Sequence, residues 1–221
     1  VVLACKTEAV NGMEIAPVRD ESENMVVLQG DKVSDDTVDE KDRHDDLDRR
    51  IVSPKDGIRD RSSDVICAAC DIGTTTVVCS IIDPVTKDVL ASRAGANPQR
   101  SFGADVVSRI EAACADDDNL KTMNNAIVNL ISGWITDMIQ KLGVEKIKLL
   151  TVAANTTMCH LFAGISPEKI GKAPFMPDEL FGKEYKGAGI GILNCEKVYI
   201  IPAVSGYVGG DITAGMAECI D

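Results

Sequence analysis

Residues 65–78 read Val65-Ile66-Cys67-Ala68-Ala69-Cys70-Asp71-Ile72-Gly73-Thr74-Thr75-Thr76-Val77-Val78. Two apolar runs of small and β-branched residues flank a turn that holds the stretch's single glycine. This pattern predicts a buried strand over Val65–Cys70, a tight connection, and a second strand over Thr76–Ile82. A glycine lets backbone approach a ligand closely, and hydroxyl residues with free amide groups can shape a small anion-binding concavity. Asp71, at the strand end, suits a magnesium ion held through water, because hard cations at phosphate sites use one or two carboxylates. The stretch therefore reads as a phosphate clamp built from Asp71, Gly73, Thr74, Thr75 and Thr76. The same residues also suit an ordinary β-turn opening into a β-branched strand, and taken alone they leave both readings open.

Downstream, the punctuation is that of an α/β chain. A third strand is expected over Asp88–Ala94 after the turn at Asp83-Pro84, and three consecutive strands with tight turns predict an antiparallel start to a mixed sheet. Helices follow over Ala104–Ala115 and Asn119–Leu142. The second carries Met123, Ile127, Leu130, Ile131, Trp134, Met138 and Leu142 on one face, which is a core stripe. Gly143 ends it. A fourth strand over Lys146–Ala153, a short helix over Asn155–Ala163, a fifth strand over Lys197–Ile201 and a last helix over Ser205–Cys219 complete the order βββααβαβα. The expectation is a mixed five-stranded sheet with flanking helices.

Upstream, the composition changes. The 221 residues carry a net charge of −12, which repels phosphate backbones and anionic lipid and so argues against nucleic acid and membrane surfaces as partners. No apolar run reaches the ~20 residues of a membrane helix, and no signal pattern opens the chain, so a cytoplasmic protein is expected. Eight cysteines without a secretion signal fit a reducing compartment. All eight aromatics lie between Phe102 and Tyr207. Residues 19–64 hold 15 acidic and 9 basic side chains with no aromatic, too little apolar area to offset chain entropy, so an acidic flexible linker is predicted there. Residues 1–18 contain a hairpin signal, Asn11-Gly12, and read as the end of a small β-rich domain.

Four motifs in order carry a family resemblance: Asp71-Ile72-Gly73-Thr74-Thr75-Thr76; Asn97-Pro98-Gln99-Arg100-Ser101-Phe102-Gly103-Ala104-Asp105-Val106-Val107-Ser108-Arg109-Ile110; Ala154-Asn155-Thr156-Thr157-Met158-Cys159-His160-Leu161; and Gly206-Tyr207-Val208-Gly209-Gly210-Asp211-Ile212-Thr213-Ala214-Gly215. The first resembles the leading phosphate motif of the actin, Hsp70 and sugar-kinase superfamily. Together, over residues 65–221, they resemble the ATP-dependent reductive activators of corrinoid proteins. The resemblance implies a ribonuclease H-like, actin-like ATPase first lobe at 65–221 with its second lobe missing. It also implies that 1–18 is the C-terminal end of a [2Fe–2S] ferredoxin domain, in which Cys5 of Leu3-Ala4-Cys5 is the fourth cluster ligand. Such a cluster needs three further thiolates.

On that resemblance the full-length protein uses ATP, Mg2+ and a [2Fe–2S] cluster to pass an electron from a low-potential donor to the cobalt of a corrinoid protein. A small-molecule kinase of the same superfamily would need a carboxylate base, and no Asp or Glu stands at the Asn155 turn. A nucleotide-dependent scaffold without chemistry is the third reading.

Asn155 and Thr156 open a helix after the fourth strand, where their amides and side chains can face a γ-phosphate or its hydrolytic water, or can cap the helix. Asp211 suits either a water-orienting, magnesium-linked role or electrostatic support of a helix N-terminus. Arg100 and Arg109, in the polar 97–109 segment, are the candidate partner contacts.

Other signals are weaker. Cys67 and Cys70 are three apart in a strand, so they point to opposite faces and do not share a metal. Gly164 to Gly171-Lys172 has six intervening residues where a P-loop has four, and Ala173 stands where Ser or Thr is required. Gly187-x-Gly189-x-Gly191 does not fit a dinucleotide fingerprint and follows no convincing strand. His160 is expected to be partly buried on its helix, and His44 lies in the linker.

Overall fold

The computed structural model describes residues 65–219. The expected ferredoxin end with Cys5, the hairpin signal and the linker lie outside the described residues. Within them the chain runs β1 (Cys67–Ile72), β2 (Thr76–Ile82), β3 (Val89–Ala96), a 3-10 helix (Pro98–Phe102), α1 (Val106–Ala115), α2 (Asp117–Lys141), β4 (Ile147–Ala154), α3 (Thr156–Ala163), α4 (Glu168–Gly171), β5 (Lys183–Lys186), α5 (Gly187–Ile190), β6 (Cys195–Ile200) and α6 (Gly210–Glu218).

The sheet is mixed and has six strands, in the order β3-β2-β1-β4-β6-β5. β1, β2 and β3 form the expected antiparallel meander. β4 pairs parallel to β1 and β6 parallel to β4, so β1, β4 and β6 deliver their C-terminal ends to one edge. This is the ribonuclease H-like arrangement of an actin-like ATPase lobe. The five-stranded expectation is short by β5, which pairs antiparallel to β6 at the sheet margin. Its residues, Lys183-Glu184-Tyr185-Lys186, are charged in the manner of an edge strand and carry no apolar alternation to read.

Alternate residues of β1, β2 and β4 send Ala68, Cys70, Ile72, Val77, Cys79, Ile81, Leu150, Val152 and Ala154 into the core. α2 covers them with Met123, Ile127, Val128, Ile131, Trp134, Ile135, Met138 and Ile139, all buried. Each such side chain contributes roughly 1.5–3 kcal/mol of burial, which makes this face the anchor of the fold. Leu130 and Leu142 of the expected stripe are partly buried at its border.

The opposite face carries small residues. Ala69, Asp71, Val78, Ser80, Thr151 and Ala153, with Ala214 of α6, line a hollow of about 300 Å³. Cys67 and Cys70 do alternate in exposure, and Cys70 lies directly across from Cys79.

The helix starts are set by their caps. Asp105 closes a capping box with Ser108 at the head of α1. The same bonds hold the Asp105 carboxyl below its ordinary range. Asn155 accepts from the Met158 amide at 2.9 Å at the head of α3, and Gly164, left-handed at φ 70°, ends that helix. α6 begins at Gly210 rather than Ser205. Ser205 Oγ accepts the Val208 amide at 3.1 Å and Val204 N donates to Val208 O at 2.8 Å, so 204–208 is a closed loop. No helix among the described residues is long and apolar enough to cross a membrane.

Candidate phosphate site

Three connections meet where the parallel strands end: the Gly73–Thr75 turn after β1, Asn155 after β4, and the loop that leads from β6 into α6. Ligands of open α/β sheets bind at such carboxyl edges. The first connection is closed by Gly73 N donating to Thr76 O at 2.9 Å. A Cβ on Gly73 would lie 2.7 Å from that same oxygen, so the turn requires glycine for space. Asn155 Nδ2 donates to Thr74 Oγ1 at 3.2 Å and ties the second connection to the first. Thr156 Oγ1 donates to Ser205 O at 2.6 Å and ties the third to the second. A Cβ on Gly209 would lie 2.5 Å from Asn155 Cα, so the third connection passes directly over the second.

The carbonyls of the first turn are all engaged from behind. Asn97 Nδ2 donates to Gly73 O at 2.8 Å, and Asn97 N to Thr75 O at 2.8 Å. The guanidinium of Arg109 donates through Nη2 to Thr74 O and through Nε to Gly103 O. Neither the Thr74 nor the Thr75 amide donates a hydrogen bond among the described residues. A turn with its acceptors occupied and its donors open has the donor pattern that an anion-binding concavity needs.

Asp71 is the penultimate residue of β1, on the open face of the sheet, and is exposed. Partial burial, and after it the charge of Asp211, raise its carboxyl above the usual range. Asp211 lies in the first turn of α6, exposed. A carboxylate whose ionisation is made costlier by burial and a neighbouring carboxylate suits a nearby cation. Among the described residues no group of three or more His, Cys, Asp or Glu side chains is placed to share a metal ion. A hexaaqua-type magnesium site, which needs one or two carboxylates, remains compatible with Asp71 and Asp211.

The expected residues thus divide. Asp71, Gly73, Thr74, Thr75, Asn155 and Asp211 surround one edge, with Thr76 half-buried at the foot of β2. Thr156 is 1% exposed and its hydroxyl is spent on Ser205, which makes it a fastener of the site. Arg100 is exposed on the 3-10 helix, as a partner contact requires. Arg109 is not: its side chain is 0% exposed, and the expected partner contact gives way to the turn it braces.

Asn97, also buried, carried no site role in the sequence, although Asn before Pro98 is a cap signal, and Asn97 Oδ1 does accept from Gln99 N at 2.9 Å. Arg109 shares a helix face with Ile110 and Ala113, and a cation on an apolar face is the signal that its burial leaves in the sequence.

The weaker motifs fall elsewhere. Gly187 does follow a strand, β5, contrary to expectation. Because β5 is antiparallel to β6, that glycine segment opens at the far end of the sheet from the Gly73–Thr75 turn. His160 is fully buried, with Nδ1 2.8 Å from Thr156 O and its ring edge-on to Phe181, so it is a core residue. Burial first, and Asp211 second, push the Cys159 thiol up to about 12, which leaves it unreactive.

Relatives share this part of the chain. A curated relative, the corrinoid activation enzyme RamQ of Eubacterium limosum, is 33% identical over 150 residues, 66% of this chain and 25% of the relative. A solved structure of a reductive activator for corrinoid, iron-sulfur protein is 39% identical, superposes with a TM-score of 0.66, and is matched over 71% of this chain and 26% of its own. The chain thus spans about a quarter of the length of the proteins it matches. The family profile described as the RACo middle region covers residues 66–220, and the chain belongs to that family.

Proposed function

We propose that the full-length protein reductively activates a corrinoid protein at the expense of ATP, and that residues 65–219 supply its phosphate-binding wall. The observation that carries this reading is the Gly73–Thr75 turn, whose carbonyls are all engaged while the Thr74 and Thr75 amides stand open at the carboxyl edge of parallel strands. The printed functions of the two relatives supply the corrinoid side of the proposal.

In this mechanism Thr74 and Thr75 bind phosphate oxygens through their amides, and Asp71 holds Mg2+ through water. Asn155 orients the Thr74 hydroxyl, Thr156 fastens the α6 loop, and Asp211 orients the hydrolytic water. Nucleotide binding then favours one arrangement of the lobes around the partner, which is how ATP can drive an otherwise uphill reduction. Arg100 supplies an exposed cation toward that partner. The iron–sulfur cluster supplies single electrons when bound. Cys5 is its proposed ligand in this chain on the Leu3-Ala4-Cys5 context alone.

The test uses the full-length protein with a Co(II) corrinoid protein and a low-potential donor, and follows the corrinoid spectrum. Reduction is expected only when ATP and magnesium are both supplied. Reduction at the same rate without ATP overturns the coupling, and ATP-dependent phosphorylation of a metabolite favours a kinase instead.

A further inference from the structure

The 97–109 segment does more than connect β3 to α1. Asn97 is 1% exposed and Arg109 0%, and between them they take up the carbonyls of Gly73, Thr74 and Thr75. In a trans peptide the C=O of one residue and the N–H of the next lie in one plane and point in opposite directions. Gly73 O therefore fixes where the Thr74 amide points, and Thr74 O fixes the Thr75 amide. Drawing those two oxygens inward, toward Asn97 and Arg109, turns the two open donors outward.

Charge leads to the same place. No carboxylate lies within ion-pair distance of the Arg109 guanidinium among the described residues. Its other contact is Met158 Sδ, 3.3 Å from Nη1. Burial, and after it the charge of Arg100, disfavour the cation, but an arginine stays protonated in proteins. A buried cation held by carbonyl dipoles, and offset by Asp105 only from beyond ion-pair distance, leaves positive potential directly behind the turn, on the side away from the open amides.

We infer that Arg109 and Asn97 are positioning residues for the nucleotide phosphates, and that through them phosphate binding and the order of the 97–109 segment are reciprocally linked. The inference rests on the reading of the turn as a phosphate site. Arg109 sets the aim of the Thr75 amide and adds its charge; Asn97 sets the aim of the Thr74 amide and holds the far end of the turn. The segment's outer side, with Arg100, Ser101, Asp105 and Val107 exposed, is open to a macromolecular partner. Linkage is symmetric: whatever factor phosphate adds to the order of this segment, a ligand that orders the segment adds to phosphate affinity.

The test titrates full-length wild type, Arg109→Met, Arg109→Lys and Asn97→Ser with MgATP and separately with adenosine. Hydrogen exchange of the 73–76 and 97–109 peptides is followed with and without MgATP. Arg109→Met and Asn97→Ser are expected to weaken ATP about tenfold or more and leave adenosine unchanged, since each loses one bond to the turn and Arg109→Met also loses the charge. Arg109→Lys recovers part of the loss. In wild type, ATP is expected to slow exchange in both peptides.

Equal losses for ATP and adenosine would mark a merely structural role and overturn the inference, as would ATP affinities within twofold of wild type. If the arginine variants do not fold, Asn97→Ser and the wild-type exchange decide it; protection confined to 73–76 overturns the linkage. A wild-type protein that binds no ATP overturns the phosphate reading itself, whereas wild-type binding with undiminished variants overturns only the positioning role.

Discussion

Two glycine-bearing connections in this lobe each follow a strand, and they do opposite things with their backbones. After β1, the carbonyls of 73–75 are taken by Asn97 and Arg109, and two amides stand open. After β5, the donors are consumed inside the segment: Ile192 N reaches Gly187 O at 2.9 Å and Gly191 N reaches Ala188 O at 3.3 Å. There Gly187 is packed so closely that an added Cβ would lie 2.0 Å from Cys195 O. The difference teaches that glycine content does not make a phosphate loop. What matters is which groups hold the acceptors.

The widest separation between the two connections should come from adding one methyl group to each. Gly73→Ala places its Cβ against the backbone oxygen of Thr76 and forces the turn to open, which is expected to lower MgATP affinity of the full-length protein by about tenfold or more, alongside a stability cost of roughly 1–3 kcal/mol. Gly187→Ala is expected to share the stability cost, roughly 1–3 kcal/mol through overpacking, but to leave the nucleotide affinity of the folded protein unchanged. Gly189→Ala, whose nearest neighbour is Lys186 Cβ at 4.0 Å, is the neutral control. Thermal melts and nucleotide titrations on the three variants check this. An affinity loss in Gly187→Ala with none in Gly73→Ala would reverse the assignment of the two turns.

A second contrast is electrostatic and smaller. Asp71 adjoins the first turn, whereas no carboxylate occurs between Tyr185 and Asn194 around the second. The Asp71 carboxyl is raised by burial first and Asp211 second, so it begins to protonate at a higher pH than an ordinary aspartate. Magnesium needs the ionised form. MgATP affinity is therefore expected to fall as pH is lowered from neutrality toward the ordinary carboxylate range, roughly pH 4. Asp211→Asn removes the second cause and should move that midpoint down. A midpoint that stays put in Asp211→Asn would show that the two carboxylates do not sense each other.

Much of this geometry was written in local sequence. β2 spans Thr76–Ile82 as its β-branched run predicts, and the α2 stripe is buried because its period of apolar residues leaves one face to cover. β5 escaped because a short edge strand exposes both faces and shows no alternation. The start of α6 escaped because Gly209 and Gly210 serve the close passage of the loop over Asn155 and Ile201, and Gly206 its approach to Phe175 O, tertiary demands invisible in a helix pattern. Arg109 is the instructive case. Its residue type argued for solvent, and only the packing of α1 behind the Gly73–Thr75 turn makes the cation a buried brace.

The smallest effect concerns Asp71 in the absence of nucleotide, and its sign is opposite to that of most native carboxylates. A raised carboxyl binds its proton more tightly folded than unfolded, so ionisation costs stability. That cost is absent below the unfolded value, grows as pH rises toward the folded one, and is complete above it. Asp71→Asn is therefore expected to stabilise the nucleotide-free protein at neutral pH, by on the order of a few tenths of a kcal/mol because the group is exposed and screened. At acid pH the gain should vanish. MgATP should then stabilise wild type more than the variant, since the ion repays a cost that only the wild type carries. Denaturant titrations at neutral and acid pH, with and without MgATP, measure all three differences. A variant less stable than wild type at neutral pH would make Asp71 a structural acceptor, and the contrast between the two glycine connections would lose its electrostatic half.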